Sequence, residues 1–73
     1  MIIKEVNGHY PNMPEDCYIG ENATVVGQVQ MGEQCSVWFN AVVRGDVNSI
    51  SIGNKVNIQD GAIIHCTYQK HAT

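Results

Sequence analysis

The segment Asn57-Ile58-Gln59-Asp60-Gly61 brings two amides and a carboxylate together along the chain. If Ile58 faces inward, Asn57 and Gln59 both project outward, because alternate residues of a strand face opposite sides. Amide and carboxylate groups at one edge can hold an oxygen ligand, such as a water or a hydroxide, in a fixed orientation. The segment is therefore a candidate site, and polar residues that merely face solvent are the alternative.

A single histidine, His65, is expected to face outward in the segment that follows. Imidazole is a common zinc ligand, but a zinc site needs three or four protein donors. His71 lies six residues further on and is expected on another face, and His9 lies near the start of the chain. The residues by themselves indicate one possible metal ligand, and a structural or solvated histidine is the alternative.

The tripeptide Arg44-Gly45-Asp46 places opposite charges on either side of a glycine at a predicted strand end. A surface ion pair of this kind contributes less than ~1 kcal/mol to stability. Alternatively, the arginine reaches a carboxylate on a neighbouring subunit, where desolvation makes the pairing more consequential. Both interpretations are open at this point.

The elements that position these residues follow from a repeat. Aliphatic residues recur every six positions, and one interval of nine indicates three extra residues between Val43 and Ile52. The first register contains Ile19, Val25, Met31, Val37, Val43, Ile52, Ile58 and Ile64. The second register lies two positions earlier and contains Cys17, Ala23, Val29, Cys35, Ala41, Ile50, Val56 and Ala62.

A period of six is not helical, whereas two inward residues separated by an outward one describe a short strand. Three such strands make a coil of 18 residues, and stacked coils pair their backbones about 4.8 Å apart. The sequence therefore predicts an all-β, parallel β-helix of about three coils over residues 19–73, after an irregular arm over residues 1–18. A strand meander would instead show hairpin turns and irregular spacing.

The repeat also predicts which side chains lie one above the other. With the three-residue insertion removed, Arg44 is one coil from His65, and Trp38 is one coil from Gln59. If the fold is right, the imidazole and the guanidinium are neighbours on the outer surface.

The composition excludes several classes of protein. The 73 residues are 44% hydrophobic and 15% charged, which suits one small folded domain rather than a disordered chain. The net charge of −3 with four Lys+Arg gives no basic surface for nucleic acid or an anionic membrane. Neither a membrane span nor a signal peptide is evident, so we predict a cytoplasmic protein.

The three cysteines, Cys17, Cys35 and Cys66, are odd in number and form no Cys-x-x-Cys pattern. We therefore expect reduced, buried thiols rather than a disulfide framework. Cys17 and Cys35 are 18 residues apart and should point inward on adjacent coils.

Taken in order, the motifs resemble the γ-class carbonic anhydrase family of hexapeptide-repeat, left-handed β-helix proteins. The resemblance runs from about Tyr10 to Thr73. It rests on Ser36-Val37-Trp38-Phe39-Asn40-Ala41-Val42-Val43-Arg44-Gly45-Asp46, Ile52-Gly53, Asn57-Ile58-Gln59-Asp60-Gly61 and Ile64-His65. It implies a homotrimer in which zinc lies between subunits and is held by three histidines.

The resemblance also implies roles for single residues. His65 matches the first zinc ligand, and Gln59 and Asn57 match the amides that position zinc-bound hydroxide and carbon dioxide. Zinc lowers the pKa of bound water to near 7, so that hydroxide can attack carbon dioxide at neutral pH. The remaining matches are an inter-subunit ion pair, Arg44 with Asp46, and a carboxylate behind the ligands, Asp60.

Two departures from the family pattern bear on activity. The second and third histidines should follow roughly two coils later, so we expect the parent protein to continue beyond residue 73. The 73-residue chain alone is expected to be inactive and to hold no zinc tightly. Some members have a glutamate that shuttles protons directly after the position of Asp46, where this chain has Val47.

Two other functions are compatible with the residues. Many hexapeptide-repeat proteins are acetyltransferases that use acetyl-CoA, and His65 could act as their general base. A catalytically inactive member that keeps the scaffold for binding or assembly is the other alternative, which Val47 favours slightly.

Overall fold

The computed structural model describes residues 1–65, in which seven strands alternate with turns. The strands are β1 (Ile2–Lys4), β2 (Tyr18–Ile19), β3 (Thr24–Met31), β4 (Ser36–Val37), β5 (Val42–Ile52), β6 (Asn57–Ile58) and β7 (Ile63–His65). No helix of the described part is long and apolar enough to cross a membrane. The predictions on Cys66 and His71 fall outside the described residues.

All strand pairs are parallel and join segments one coil apart. One sheet has the order β1-β3-β5-β7, and the other has the order β2-β4-β6. Val25 pairs with Val43, and Val43 pairs with Ile64, so the offset rises from 18 to 21 residues across the predicted insertion. This arrangement confirms the parallel β-helix of about three coils and excludes the meander.

The core is formed by the two inward registers that the period of six predicts, except that Val56 is 36% exposed. Its buried members are Ala23, Val25, Val29, Met31, Cys35, Val37, Ala41, Val43, Ile50 and Ile58. Ile19, Ile52 and Ile64 pack against them and are half-buried. Each fully buried aliphatic side chain contributes about 1.5–3 kcal/mol of transfer free energy, so the stacked interior dominates the stability of the coils.

The three extra residues enter just after Gly45, where β5 passes a corner. Gly27 pairs with Gly45, but the next pair is Val29 with Ile50, so Gln28 alone faces four residues of β5. The corner is tight, since a Cβ at position 45 would lie 2.4 Å from the carbonyl oxygen of Gln28. The insertion therefore begins with Asp46, beside the outward residue Arg44.

The N-terminal arm differs from its prediction as an irregular segment. Ile2–Lys4 form β1, which pairs with β3 and adds a strand to the stack. The hexapeptide pattern does not reveal this strand because Ile3 lies 22 residues before its partner Val25, four more than one coil. The extra residues include the turn at Asn7 and Gly8, with φ values of 53° and 81°, which fit a type I′ turn.

The two described cysteines are free thiols; Cys35 is buried, as the sequence predicts, whereas Cys17 is half-buried. Cys17 donates a hydrogen bond to the carbonyl of Gly32 at 3.3 Å, and Cys35 donates one to the carbonyl of Gly53 at 3.0 Å. Burial raises the pKa of the Cys17 thiol above its ordinary value. Both therefore act as small core residues with a satisfied S–H group.

Candidate functional site

His65 and Arg44 are neighbours on the outer surface of the four-stranded sheet. His65 ends β7 and pairs in register with Arg44 of β5, which confirms the predicted stacking. Both are exposed. Strands in register are about 4.8 Å apart, so the imidazole and the guanidinium can reach the same small ligand.

Asp46 lies on the other side of Arg44. Arg44 Nε is 3.7 Å from Asp46 Oδ2, with side-chain exposures of 50% and 31%. This distance is too long for a strong hydrogen bond, so it is a loose ion pair within one chain. Asp46 Oδ1 is buried and, within the described residues, accepts no hydrogen bond.

The N-terminal turn supports the insertion that carries Asp46. Asn7 Nδ2 donates a hydrogen bond of 3.1 Å to the backbone carbonyl of Asp46. The contact spans 39 residues of sequence, and nothing in the repeat could have predicted it. It anchors the first residue of the insertion next to the ion pair.

Asn57 and Gln59 project from the three-stranded sheet as predicted, because Ile58 between them is buried. Asn57 Oδ1 accepts a hydrogen bond of 2.6 Å from Ser36 Oγ, and Ser36 Oγ accepts one of 2.9 Å from Trp38 Nε1. Sequence analysis missed this contact, although Ser36 precedes Asn57 by 21 residues, one coil plus the insertion. Asp60 is exposed in the turn that follows β6.

The candidate residues do not form one cluster within a single chain. Asn57 belongs to β6 of the three-stranded sheet, whereas His65 belongs to β7 of the four-stranded sheet. The structure therefore presents the amides and the imidazole on different faces of the coil. Within the described residues, one chain does not bring these two groups together.

A complete metal site is not formed by one chain in its described range. Residues 1–65 contain no group of three or more His, Cys, Asp or Glu side chains that could hold a metal ion. His65 could provide one ligand, since it is exposed and pairs in register with Arg44. Zinc would need at least two further protein donors.

Comparison with known proteins finds relatives of two kinds, although no family model matches the chain. A carbonic anhydrase of Geobacillus kaustophilus is 44% identical over 64 residues, 88% of this chain and 35% of the relative. Gamma carbonic anhydrase 2, mitochondrial, of Arabidopsis thaliana is 44% identical over 55 residues, 75% of this chain and 20% of the relative. An uncharacterized transferase of Bacillus subtilis, YtoA, is 49% identical over 57 residues, 78% of this chain and 33% of the relative.

A solved structure has the same fold. The crystal structure of a hexapeptide transferase family protein from Anaplasma phagocytophilum matches with a TM-score of 0.72 and 25% identity, over 88% of this chain and 50% of that chain. This chain spans about a third or less of the curated relatives described above. Because of its repeat, its strand register and its similarity to these relatives, we assign the chain to a family: it belongs to the γ-class carbonic anhydrase-like family of hexapeptide-repeat proteins.

Proposed function

We propose that this chain is part of a zinc-dependent, carbonic anhydrase-like lyase that hydrates carbon dioxide reversibly, and that the protein is a homotrimer. One observation carries the proposal: the exposed amides of Asn57 and Gln59 and the exposed imidazole of His65 lie on different faces of the same coil. Such an arrangement becomes a single site when the amide face of one copy meets the imidazole face of the next.

Exposed isoleucines on the sheet that carries His65 support contact between copies at this face. Each strand of the four-stranded sheet has an outward residue directly before its inward valine or isoleucine. These outward residues pair in register from strand to strand and are Ile2, Thr24, Val42 and Ile63. Ile2 is 56% exposed and Ile63 is 65% exposed. Thr24 and Val42 between them are half-buried. Large aliphatic side chains left exposed, such as Ile2 and Ile63, are compatible with a surface that becomes covered by a partner.

The roles of the residues follow from their chemistry. His65 provides one neutral imidazole ligand, and a zinc ion completed by two further histidines would lower the pKa of a bound water towards neutrality. Gln59 and Asn57 of a neighbouring copy orient the oxygen atoms of the reactants by hydrogen bonds. Asp60 extends the polar edge that these two amides form.

The ion pair and its neighbour affect assembly and proton transfer. Arg44 is held by Asp46 at the edge of the same face, and in the trimer it reaches a carboxylate of the adjoining copy. Val47 has no titratable group, so we expect proton transfer to solvent to limit turnover.

Carbon dioxide hydration by the full-length protein tests the proposal. We expect Gln59→Ala to lower kcat/KM by about 10- to 100-fold, because a hydrogen bond to a charged or reacting group contributes about 1.5–3 kcal/mol. Gln28→Ala, at an exposed glutamine of β3, should leave the rate unchanged. Absence of hydration in the full-length protein, together with acetyl-CoA-dependent acyl transfer that requires His65, would favour the transferase alternative.

A further inference from the structure

We propose that Ser36 and Trp38 are positioning residues that hold the side-chain amide of Asn57 in one orientation, with its Nδ2 group turned outward as a hydrogen-bond donor. The proposal deepens the function proposed above and rests on it for the identity of the acceptor, which is an oxygen of carbon dioxide or bicarbonate. The orientation of the amide itself rests on contacts within this chain.

The direction of each hydrogen bond follows from the groups involved. The indole N–H of Trp38 can only donate, so Ser36 Oγ is the acceptor of the 2.9 Å contact. The hydroxyl hydrogen of Ser36 is then free to be donated to Asn57, whose Oδ1 lies 2.6 Å away. That distance is typical of an O–H···O bond and shorter than the usual N–H···O bond. The carbonyl oxygen of Asn57 therefore faces Ser36.

The backbone fixes the positions of both partners. Ser36 pairs in register with Asn57 across β4 and β6. The N–H of Ser36 donates to the carbonyl of Val56 at 3.0 Å, and the N–H of Trp38 donates to the carbonyl of Ile58 at 2.8 Å. Two backbone hydrogen bonds on either side of Asn57 thus keep Ser36 within reach of its side chain.

Aromatic packing holds the indole ring of Trp38, whose N–H is the first donor in the hydrogen-bond chain from Trp38 through Ser36 to Asn57. The Trp38 ring centroid is 4.9 Å from that of Tyr18, at an angle of 43°, and 6.1 Å from that of Phe39, at 76°. These distances and the edge-on geometry are favourable for aromatic pairs. Gly20 makes room for this cluster, since a Cβ at that position would lie 3.1 Å from Phe39 Cδ1. The indole is therefore fixed on two sides.

The hydrogen-bond chain from Trp38 through Ser36 determines which group Asn57 presents to a ligand. With Oδ1 occupied by Ser36, the outward part of the amide offers only N–H donors. These donors can bind an oxygen that carries lone pairs, such as those of carbon dioxide or bicarbonate. Without the Ser36 hydroxyl, both orientations of the amide become accessible, and part of the population presents the carbonyl oxygen outward.

Side-chain amide NMR of the full-length, ¹⁵N-labelled protein reports how rigidly the Asn57 Nδ2 group is held on the picosecond-to-nanosecond timescale. We expect the ¹H–¹⁵N NOE of the Asn57 Nδ2 group to be high in the wild type, to fall in Ser36→Ala and to be restored in Ser36→Thr, which keeps the hydroxyl. Trp38→Phe keeps the ring but removes the N–H, and it should lower the NOE by a smaller amount. Ser51→Ala, at an exposed serine of β5, is the matched control.

Kinetics separate a positioning role from a purely structural one. We expect Ser36→Ala to lower kcat/KM for bicarbonate by about tenfold, and Ser36→Thr to restore it. An unchanged NOE in both Ser36→Ala and Trp38→Phe would overturn the proposal. So would a lower NOE with unchanged kcat/KM in an active enzyme.

A wild-type protein that hydrates no carbon dioxide, but whose Asn57 NOE still depends on Ser36, has a different meaning. That result would contradict the proposed function and support the positioning of the amide by Ser36 and Trp38.

Discussion

Arg44 lies between a counter-ion and a candidate ligand. Its guanidinium is 3.7 Å from the carboxylate of Asp46 and one coil below His65. Because the arginine side chain is half exposed, water screens the pair and its contribution to the stability of one chain is small. The same charge has more effect when an adjoining copy removes that water.

Substitution of Arg44 separates these two contributions. We expect Arg44→Ala to change the free energy of unfolding of one chain by less than ~1 kcal/mol, but to raise the dissociation constant of the proposed trimer of the full-length protein at least tenfold. Denaturant titration and sedimentation measure the two quantities. Lys4→Ala removes the same charge from the same outward column, two strands away, and should leave association much less affected. Equal effects of the two variants on association would contradict the role of Arg44.

For single residues, the sequence predicts exposure better than side-chain contacts. The outward positions of Asn57 and Gln59 follow from the buried Ile58 between them, because a strand alternates strictly. The Ser36–Asn57 hydrogen bond could not be predicted in the same way, since it depends on side-chain rotamers as well as on the 21-residue offset. The ion pair follows from sequence proximity alone.

The corner between Gly27 and Gly45 is the element that positions Asp46. The two glycines pair in register, and the strands separate immediately afterwards to admit the insertion. A Cβ at either position would lie 2.4 Å from a backbone oxygen of the facing strand. Close approach of the two backbones is therefore a requirement of this corner rather than a general feature of the repeat.

A pair of glycine variants tests the requirement. We expect Gly45→Ala to destabilise the protein by about 1–3 kcal/mol or more, because the facing backbone cannot move away without breaking the β3–β5 ladder. Gly53→Ala introduces the same methyl group where nothing lies within 4 Å, and its effect should stay within about 0.5 kcal/mol. Urea unfolding midpoints measure the difference. Equal midpoints would show that the corner is not tight.

The sequence predicts the length of the insertion but not its place. The interval of nine between Val43 and Ile52 indicates three extra residues, and it leaves open where they enter. The register shows that they follow Gly45. β1 was missed for a related reason, since the extra residues around the Asn7-Gly8 turn move Ile3 out of the 18-residue coil. A repeat predicts the strands that fit its period, but it gives no signal for strands whose spacing differs from that period.

The whole molecule has few coils for a stacked fold. Within residues 1–65, β1 and β7 are the outer strands of the four-stranded sheet. Outer strands leave N–H and C=O groups without ladder partners, and a solenoid needs about three repeats before neighbours stabilise one another. The isolated 73-residue chain is thus close to the lower limit of an independent fold.

The isolated chain is therefore expected to be unstable or to associate. We predict a sedimentation coefficient that rises with protein concentration over the micromolar range, together with weak or broad thermal unfolding. Ile63→Lys places a charge on β7 at a residue that is 65% exposed. It should reduce association, because a lysine on an outer strand disfavours pairing with another chain. A monomer that unfolds cooperatively and independently of concentration would contradict this prediction.

Metal content tests the central claim that His65 is one ligand of a zinc site shared between copies. We predict about one zinc per subunit in the full-length trimer by elemental analysis after exhaustive dialysis, and loss of that zinc in His65→Ala. His9→Ala, at an exposed histidine of the N-terminal turn, should retain it. A full-length trimer without zinc, or one in which His65→Ala keeps the wild-type zinc content, would contradict the account.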